Sequence, residues 1–154
     1  MTGDSVRSSG TKSALLAISV GGLIAGTLDL TQASVLFGWG IPLVIAGGLL
    51  GPRAFDGGSG TFLLGVLLHF FIAFSVTAIY YVASRRLRFL TEHPLVSGLF
   101  YGMAVENVMN LIVLPLSALH ARGPYRLHDL ILGLAVHAIV IGLPVAYSIR
   151  RFAK

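Results

Sequence analysis

Residues 60–84 read Gly60-Thr-Phe-Leu-Leu-Gly-Val-Leu-Leu-His-Phe-Phe-Ile-Ala-Phe-Ser-Val-Thr-Ala-Ile-Tyr-Tyr-Val-Ala-Ser84, without one Asp, Glu, Lys or Arg, and Arg85, Arg86 and Arg88 follow at once. A bilayer core about 30 Å thick needs about 20 apolar residues in helical form. This segment meets that length and stops at a cluster of positive charge. Three more segments read the same way: Ser13–Leu36, Pro94–Ser117 and Leu127–Ile149. The expected fold is all-α, a four-helix transmembrane bundle, with one membrane domain over 13–154 and a polar tail over 1–12.

Composition agrees. The 154 residues are 55% hydrophobic and 11% charged, and the mean hydropathy is +0.86. Soluble domains carry about 25% charged residues, so this chain lacks the charge to cover a water-facing surface. Disorder, collagen, coiled coil and nucleic-acid binding are excluded on the same ground. The excess of 11 Lys and Arg over 6 Asp and Glu suits an anionic leaflet, making the lipid bilayer the first expected partner. With no Cys, thiol chemistry and thiolate metal sites are excluded. A secretory signal core has about 7–15 apolar residues; the first span is longer and contains Asp29, so it reads as retained.

Loop charges set the orientation, because Lys and Arg concentrate on the cytoplasmic side. Arg7, Lys12, Arg85, Arg86, Arg88, Arg150, Arg151 and Lys154 fall on one side, against Arg53, Arg122 and Arg126 on the other. Both termini are therefore expected in the cytoplasm. Residues 37–59 form the longest connection. Within it, Ile41–Leu50 is apolar but too short to cross, which suits a helix lying in the interface or a re-entrant segment.

The two halves resemble each other. Gly22-Leu-Ile-Ala-Gly26 parallels Gly98-Leu-Phe-Tyr-Gly102, and Gly65-Val-Leu-Leu-His69 parallels Gly133-Leu-Ala-Val-His137. That pattern suggests two parallel helical-hairpin repeats about an axis along the membrane normal. Glycines four apart let helix backbones approach closely in lipid, so Gly22, Gly26, Gly65, Gly98, Gly102 and Gly133 are expected at helix contacts.

One ionisable side chain lies deep in each span: Asp29, His69, Glu106 and His137. Each follows a small residue by four positions (Ala25, Gly65, Gly102, Gly133) and so shares the close-packing face. At 1.5 Å per residue, Asp29 lies about 7 Å and His69 about 4–5 Å outward of the midplane, with Glu106 and His137 within about 2–3 Å of it. A charge there costs about 2.5–3.5 kcal/mol, so the four form an expected buried polar layer, with Asn107 and Asn110 beside it. Three readings stay open. The layer is a satisfied network holding the helices in register; or a path for protons or cations, to which imidazole is suited; or a haem or divalent-metal site with His69 and His137 as candidate ligands. No Glu-x-x-His occurs within a span, so the di-iron bundle pattern does not apply.

Weaker signals are the tyrosines 80, 81, 101, 125 and 147, read as an interfacial belt, and Met103 and Met109, read as core. Pro115 and Pro144 read as helix breaks or kinks, and His120, Arg122, Arg126, His128 and Asp129 as a polar outer loop. No phosphate cradle or catalytic triad is present in usable form, so no enzyme is expected.

The blocks GLIAGTLDL (22–30), GLLGPRAFDGG (48–58), LLGVLLHFFIA (63–73), YYVASRR (80–86), VLPLSA (113–118) and GLPVA (142–146) appear in that order. Together they resemble a family of uncharacterised small four-span bacterial inner-membrane proteins, and more loosely the YagU-like proteins. The resemblance implies a bacterial inner-membrane location and no particular activity. Asp29 and His69 fall inside its blocks, whereas Glu106 and His137 do not. The expected function is non-enzymatic, of transport or accessory type, with a homodimer or a larger membrane complex as the setting. The competing expectation is a haem- or metal-binding redox subunit, or a purely structural one.

Overall fold

The structure, a computed structural model, describes residues 3–122 and 126–153. All regular structure among them is helical. In order come α1 (Gly3–Phe37), α2 (Ile41–Leu50), a 3₁₀ segment (Gly51–Asp56), α3 (Ser59–Ser84), α4 (Phe89–Glu92) and α5 (Pro94–Val108). A π-helical turn (Met109–Val113) leads into α6 (Leu114–Leu116); α7 (Leu127–His137) passes through a second π turn (Ala138–Gly142) into α8 (Leu143–Phe152).

Four stretches are long and apolar enough to cross a membrane: Thr11–Phe37, Ser59–Ser84, Pro94–Leu116 and Leu127–Phe152. They match the expected spans to within a few residues at each end. Helix is the open-sheet-free solution available in lipid, where every backbone N–H and C=O needs a partner within the chain. The first helix begins at Gly3, so the polar segment ahead of residue 13 extends the span from there on.

Burial follows the membrane pattern, with small residues inside and large apolar ones outside. Ala17, Ala25, Ala46, Ala73, Ala138 and Ala146 are buried, whereas Leu67, Phe71, Phe100 and Leu111 are exposed around the perimeter. Without a hydrophobic drive between helices in lipid, close backbone approach supplies the packing energy. Gly22 and Gly26 lie against Phe74 and Phe70 of α3, while a Cβ added to Gly98 would stand 2.9 Å from the Gly142 carbonyl oxygen and 3.0 Å from Ala146 Cβ. A Cβ on Gly142 would in turn run into the Gly98 carbonyl. Gly142 was absent from the expected contact glycines; its signal was Gly142-x-x-x-Ala146, a small pair spaced by four.

The bundle is tight at the end holding both chain termini. There α8 packs on α1, α5 and α3. Tyr80, 1% exposed, donates its hydroxyl to the Leu90 carbonyl (2.8 Å) and lies 2.9 Å from Ser97 Oγ. Tyr101 donates to the Val76 carbonyl (2.6 Å), and the Tyr80 and Tyr101 rings meet edge to face at 4.8 Å. These two tyrosines are therefore core residues joining α3 to α5, which corrects their reading as an interfacial belt. Each has a carbonyl acceptor within reach inside the bundle, so neither needs the headgroup layer. Tyr125 lies outside the described residues.

Toward the other end the helices separate into two pairs. α1 packs on α3, and α5 on α7, but the backbones of one pair approach those of the other only at isolated points. α2 packs along the start of α3, with Gly65 directly against the Pro42 backbone. The Ala118 N–H donates to the Gly48 carbonyl (2.8 Å), linking α2 to the chain that leaves α6.

Both π turns precede a proline by two residues. The Leu114 N–H bonds to the Met109 carbonyl ahead of Pro115, and the Leu143 N–H to the Ala138 carbonyl ahead of Pro144. Proline has no N–H to give, and its ring crowds the carbonyl four residues back. A widened turn relieves that conflict without breaking the span, so both prolines stay within continuous helices.

Candidate functional site

The separation of the helix pairs leaves a cavity of about 1040 Å³. Its walls are mainly apolar side chains of α1, α2, α3, α5 and α7. It runs from Phe37, Leu116 and Arg122 at the far end down to Asp29, His69, Glu106 and His137. The polar layer thus lies on the cavity wall, and the cavity continues past it toward the termini end as far as Ala25, Val76 and Ile141.

Three of the four expected ionisable residues meet. His137 Nδ1 donates to the Gly133 carbonyl one turn earlier (3.1 Å) and stands 3.1 Å from Glu106 Oε2. His137 Nε2 stands 3.7 Å from Asp29 Oδ1. The imidazole lies between two carboxylates on two other helices. Its Nδ1 faces a carbonyl that can only accept, so the proton is held on Nδ1, and Nε2 is the nitrogen turned toward Asp29. Glu106 is 6% exposed as a residue, and the Asp29 and His137 side chains are 16% and 20% exposed.

Small residues create the room. A Cβ on Gly133 would collide with Glu106 Oε1, so the carboxylate occupies the side-chain space that this glycine lacks. Gly102, one turn before Glu106, sits against the His137–Ala138 backbone. The expected pairing of a small residue with an ionisable one four positions on therefore has a mechanism. The small residue admits the neighbouring helix, and the ionisable residue meets it one turn later.

His69 does otherwise. Its Nε2–H donates to the Gly26 carbonyl (2.8 Å), because the bare Gly26 lets the ring of α3 reach the backbone of α1. His69 lines the same cavity but joins neither carboxylate. Asn110 and Asn107 donate to carbonyls of their own helix, Glu106 (3.1 Å) and Met103 (2.9 Å), and not to the carboxylates. The layer is thus a triad, Asp29–His137–Glu106, with His69 and Asn110 beside it.

The same geometry bears on haem or a metal ion. His69 Nε2 is engaged by a carbonyl, and both nitrogens of His137 face groups already in place, so the two imidazoles do not present a common axial pair. Among the described residues no three His, Asp or Glu side chains are grouped as a metal ion would require. The donor set does not fit either group. His128 and Asp129, expected in a polar outer loop, lie instead in the first turn of α7 and pair side by side in exposed positions (3.3 Å).

No protein-family model, no curated protein and no solved structure matches this chain.

Proposed function

We propose that this multi-pass membrane protein is a non-enzymatic transport protein that passes protons or cations through the Asp29–His137–Glu106 triad. The observation that carries the reading is the triad's place on the wall of a cavity that extends past it toward both ends. A purely structural clamp would be served as well by a dry, sealed core. Here Asp29 stands on a wall open to the far end, and His137 bridges it to Glu106, which is nearly fully buried.

A relay step balances as follows. Asp29 takes a proton from the cavity and gives it to His137 Nε2, while the proton on Nδ1 passes to Glu106 Oε2. One proton has then moved from Asp29 to Glu106, and the ring is left as the other tautomer, reset by reverse transfer or rotation. The 3.7 Å between Asp29 and Nε2 exceeds hydrogen-bond range, so a small approach of α1 to α7 gates the first transfer. Passage onward requires α5 to move against the fourth span at the Gly98–Gly142 crossing, and the π turns beside Glu106 and His137 supply the compliance, as π turns at functional sites often do.

The loop charges favour a cytoplasmic chain-termini end and an outward cavity mouth, and the family resemblance favours a bacterial inner membrane. A homodimer or a larger membrane complex would enclose a bundle this small on its lipid-facing sides.

The test is proton flux into liposomes holding a trapped pH-sensitive dye, driven by a potassium diffusion potential. The native chain is expected to acidify the lumen, and Glu106→Gln and Asp29→Asn to lower the rate at least about tenfold, each tenfold being about 1.4 kcal/mol of barrier. Equal rates for native and Glu106→Gln protein, with helical content unchanged, would overturn the reading in favour of a structural layer.

A further inference from the structure

We infer that the cavity is a binding site for a lipophilic organic cation, whose apolar body lies between the helix pairs and whose charge faces Asp29. The inference deepens the transport reading by naming the class of substrate for the same site, and rests on it in that respect.

Size comes first. A site of about 1040 Å³ is far larger than a bare ion needs and lies at the upper end of small-molecule pockets, about 300–1,000 Å³. From Asp29 to Phe37 the α1 wall is eight residues long, about 12 Å of depth at 1.5 Å per residue. The walls are apolar, so a hydrated inorganic ion gains little from them, whereas a hydrophobic body gains along the whole depth.

Charge selects the sign. Two carboxylates from two helices reach the cavity wall, and a single imidazole stands between them. Arg122, at the mouth, is the one Lys or Arg on the cavity wall among the described residues. Glu106 is held by His137 and packed over Gly133. Asp29 is different. Its near partner is His137 Nε2 at 3.7 Å, too long for a hydrogen bond, and its side chain faces the cavity while 16% exposed. A carboxylate in an apolar wall that lacks a hydrogen bond from a cation is poised for an organic one. An anion of the same shape meets two carboxylates on the wall.

Access fits a ligand dissolved in lipid. Leu36, Leu49 and Leu132 line the cavity and are well exposed, so its wall on α1, α2 and α7 is an accessible apolar surface. An amphiphile held in the bilayer meets such a wall without leaving an apolar medium.

The probe is tetraphenylphosphonium, with tetraphenylborate as an ion of the same shape and opposite charge, in equilibrium binding to the detergent-solubilised full chain. Saturable tetraphenylphosphonium binding is expected, without competition from tetraphenylborate. Asp29→Asn should weaken it about tenfold or more. Ala33→Phe should do the same by filling the wall one turn above Asp29 without touching the charge. If Asp29→Asn loses its helical circular dichroism, the Ala33→Phe result decides. Equal binding of both ions, or binding indifferent to these two substitutions, means partition into detergent and overturns the inference. Carboxylate-dependent proton flux without tetraphenylphosphonium binding overturns it while leaving the relay standing; tetraphenylphosphonium binding without proton flux does the reverse.

Discussion

Gly133→Ala adds one methyl group to a span interior, where helix propensity alone favours alanine by about 1 kcal/mol. In this bundle the new Cβ would occupy the place of Glu106 Oε1 and stand 3.2 Å from Glu106 Cδ. The glutamate side chain is flexible, so it swings away, and its 3.1 Å approach to His137 Nδ1 is lost. Losing the hydrogen bond between a buried carboxylate and its donor costs about 1.5–3 kcal/mol. The upper figure applies because Glu106 is 6% exposed. The net expectation is about 2 kcal/mol of destabilisation, the lost bond outweighing the propensity gain. A double-mutant cycle isolates the cause. With Glu106→Ala there is no carboxylate to evict, and Gly133→Ala on that background should be neutral or stabilising by about 1 kcal/mol. The coupling is then about 3 kcal/mol, at the upper end for residues in contact. Equilibrium unfolding by SDS from mixed micelles, followed by helical circular dichroism, measures all four corners. Additivity within about 0.5 kcal/mol would show that the carboxylate does not rest on this glycine, and would remove the packing basis of the triad.

Three further outcomes follow from the packing. Gly142→Ala, which sets a Cβ against the Gly98 carbonyl where two backbones cannot yield cheaply, should destabilise by about 3 kcal/mol or more; a loss below about 1 kcal/mol in the same titration would contradict the close crossing. Tyr101→Phe removes the hydroxyl donated to Val76 and should cost about 1 kcal/mol, with proton flux unchanged because the tyrosine lies outside the triad. The chain has no native cysteine, so a Gly48→Cys, Ser117→Cys pair can be read without background. A Cβ built on Gly48 lies 3.8 Å from Ser117 Cβ, close to the mean disulfide value of about 3.8 Å. Mild oxidation should shift its mobility on a non-reducing gel, and no shift would place α2 elsewhere.

Much of this architecture is legible without coordinates. The spans are, because a bilayer imposes length and hydropathy that a linear pattern carries fully, as residues 60–84 do with one uncharged run ended by arginines. That Asp29, His69, Glu106 and His137 each fall well inside a span is legible for the same reason. Which of them meet is not. His69 and His137 occupy equivalent places in similar motifs, yet one reaches the Gly26 carbonyl and the other two carboxylates. The difference lies in helix rotation and interhelical distance, set by glycines on partner helices that no local window contains. The cavity is equally invisible in sequence, since it arises where two helix pairs fail to touch.

Each π turn encloses one more residue per hydrogen-bonded ring than an α turn does, so 109–113 and 138–142 behave as single-residue insertions frozen into otherwise regular spans. Removing one residue from either segment would let an ordinary α turn close. It would also rotate everything beyond by about 100°, the angle of one residue in a 3.6-residue turn. Glu106 lies on the chain-termini side of its turn, with the cavity-lining Leu114 and Leu116 of α6 beyond it. His137 lies on the far side of its own turn, with α8 toward the termini. The length of the chain at the first turn therefore decides which side chains the far half shows to the triad, and at the second how His137 is set relative to α8. Among descendants of such a bundle, a one-residue gap at the first turn would be the cheapest way to change what the cavity accepts while leaving the triad intact.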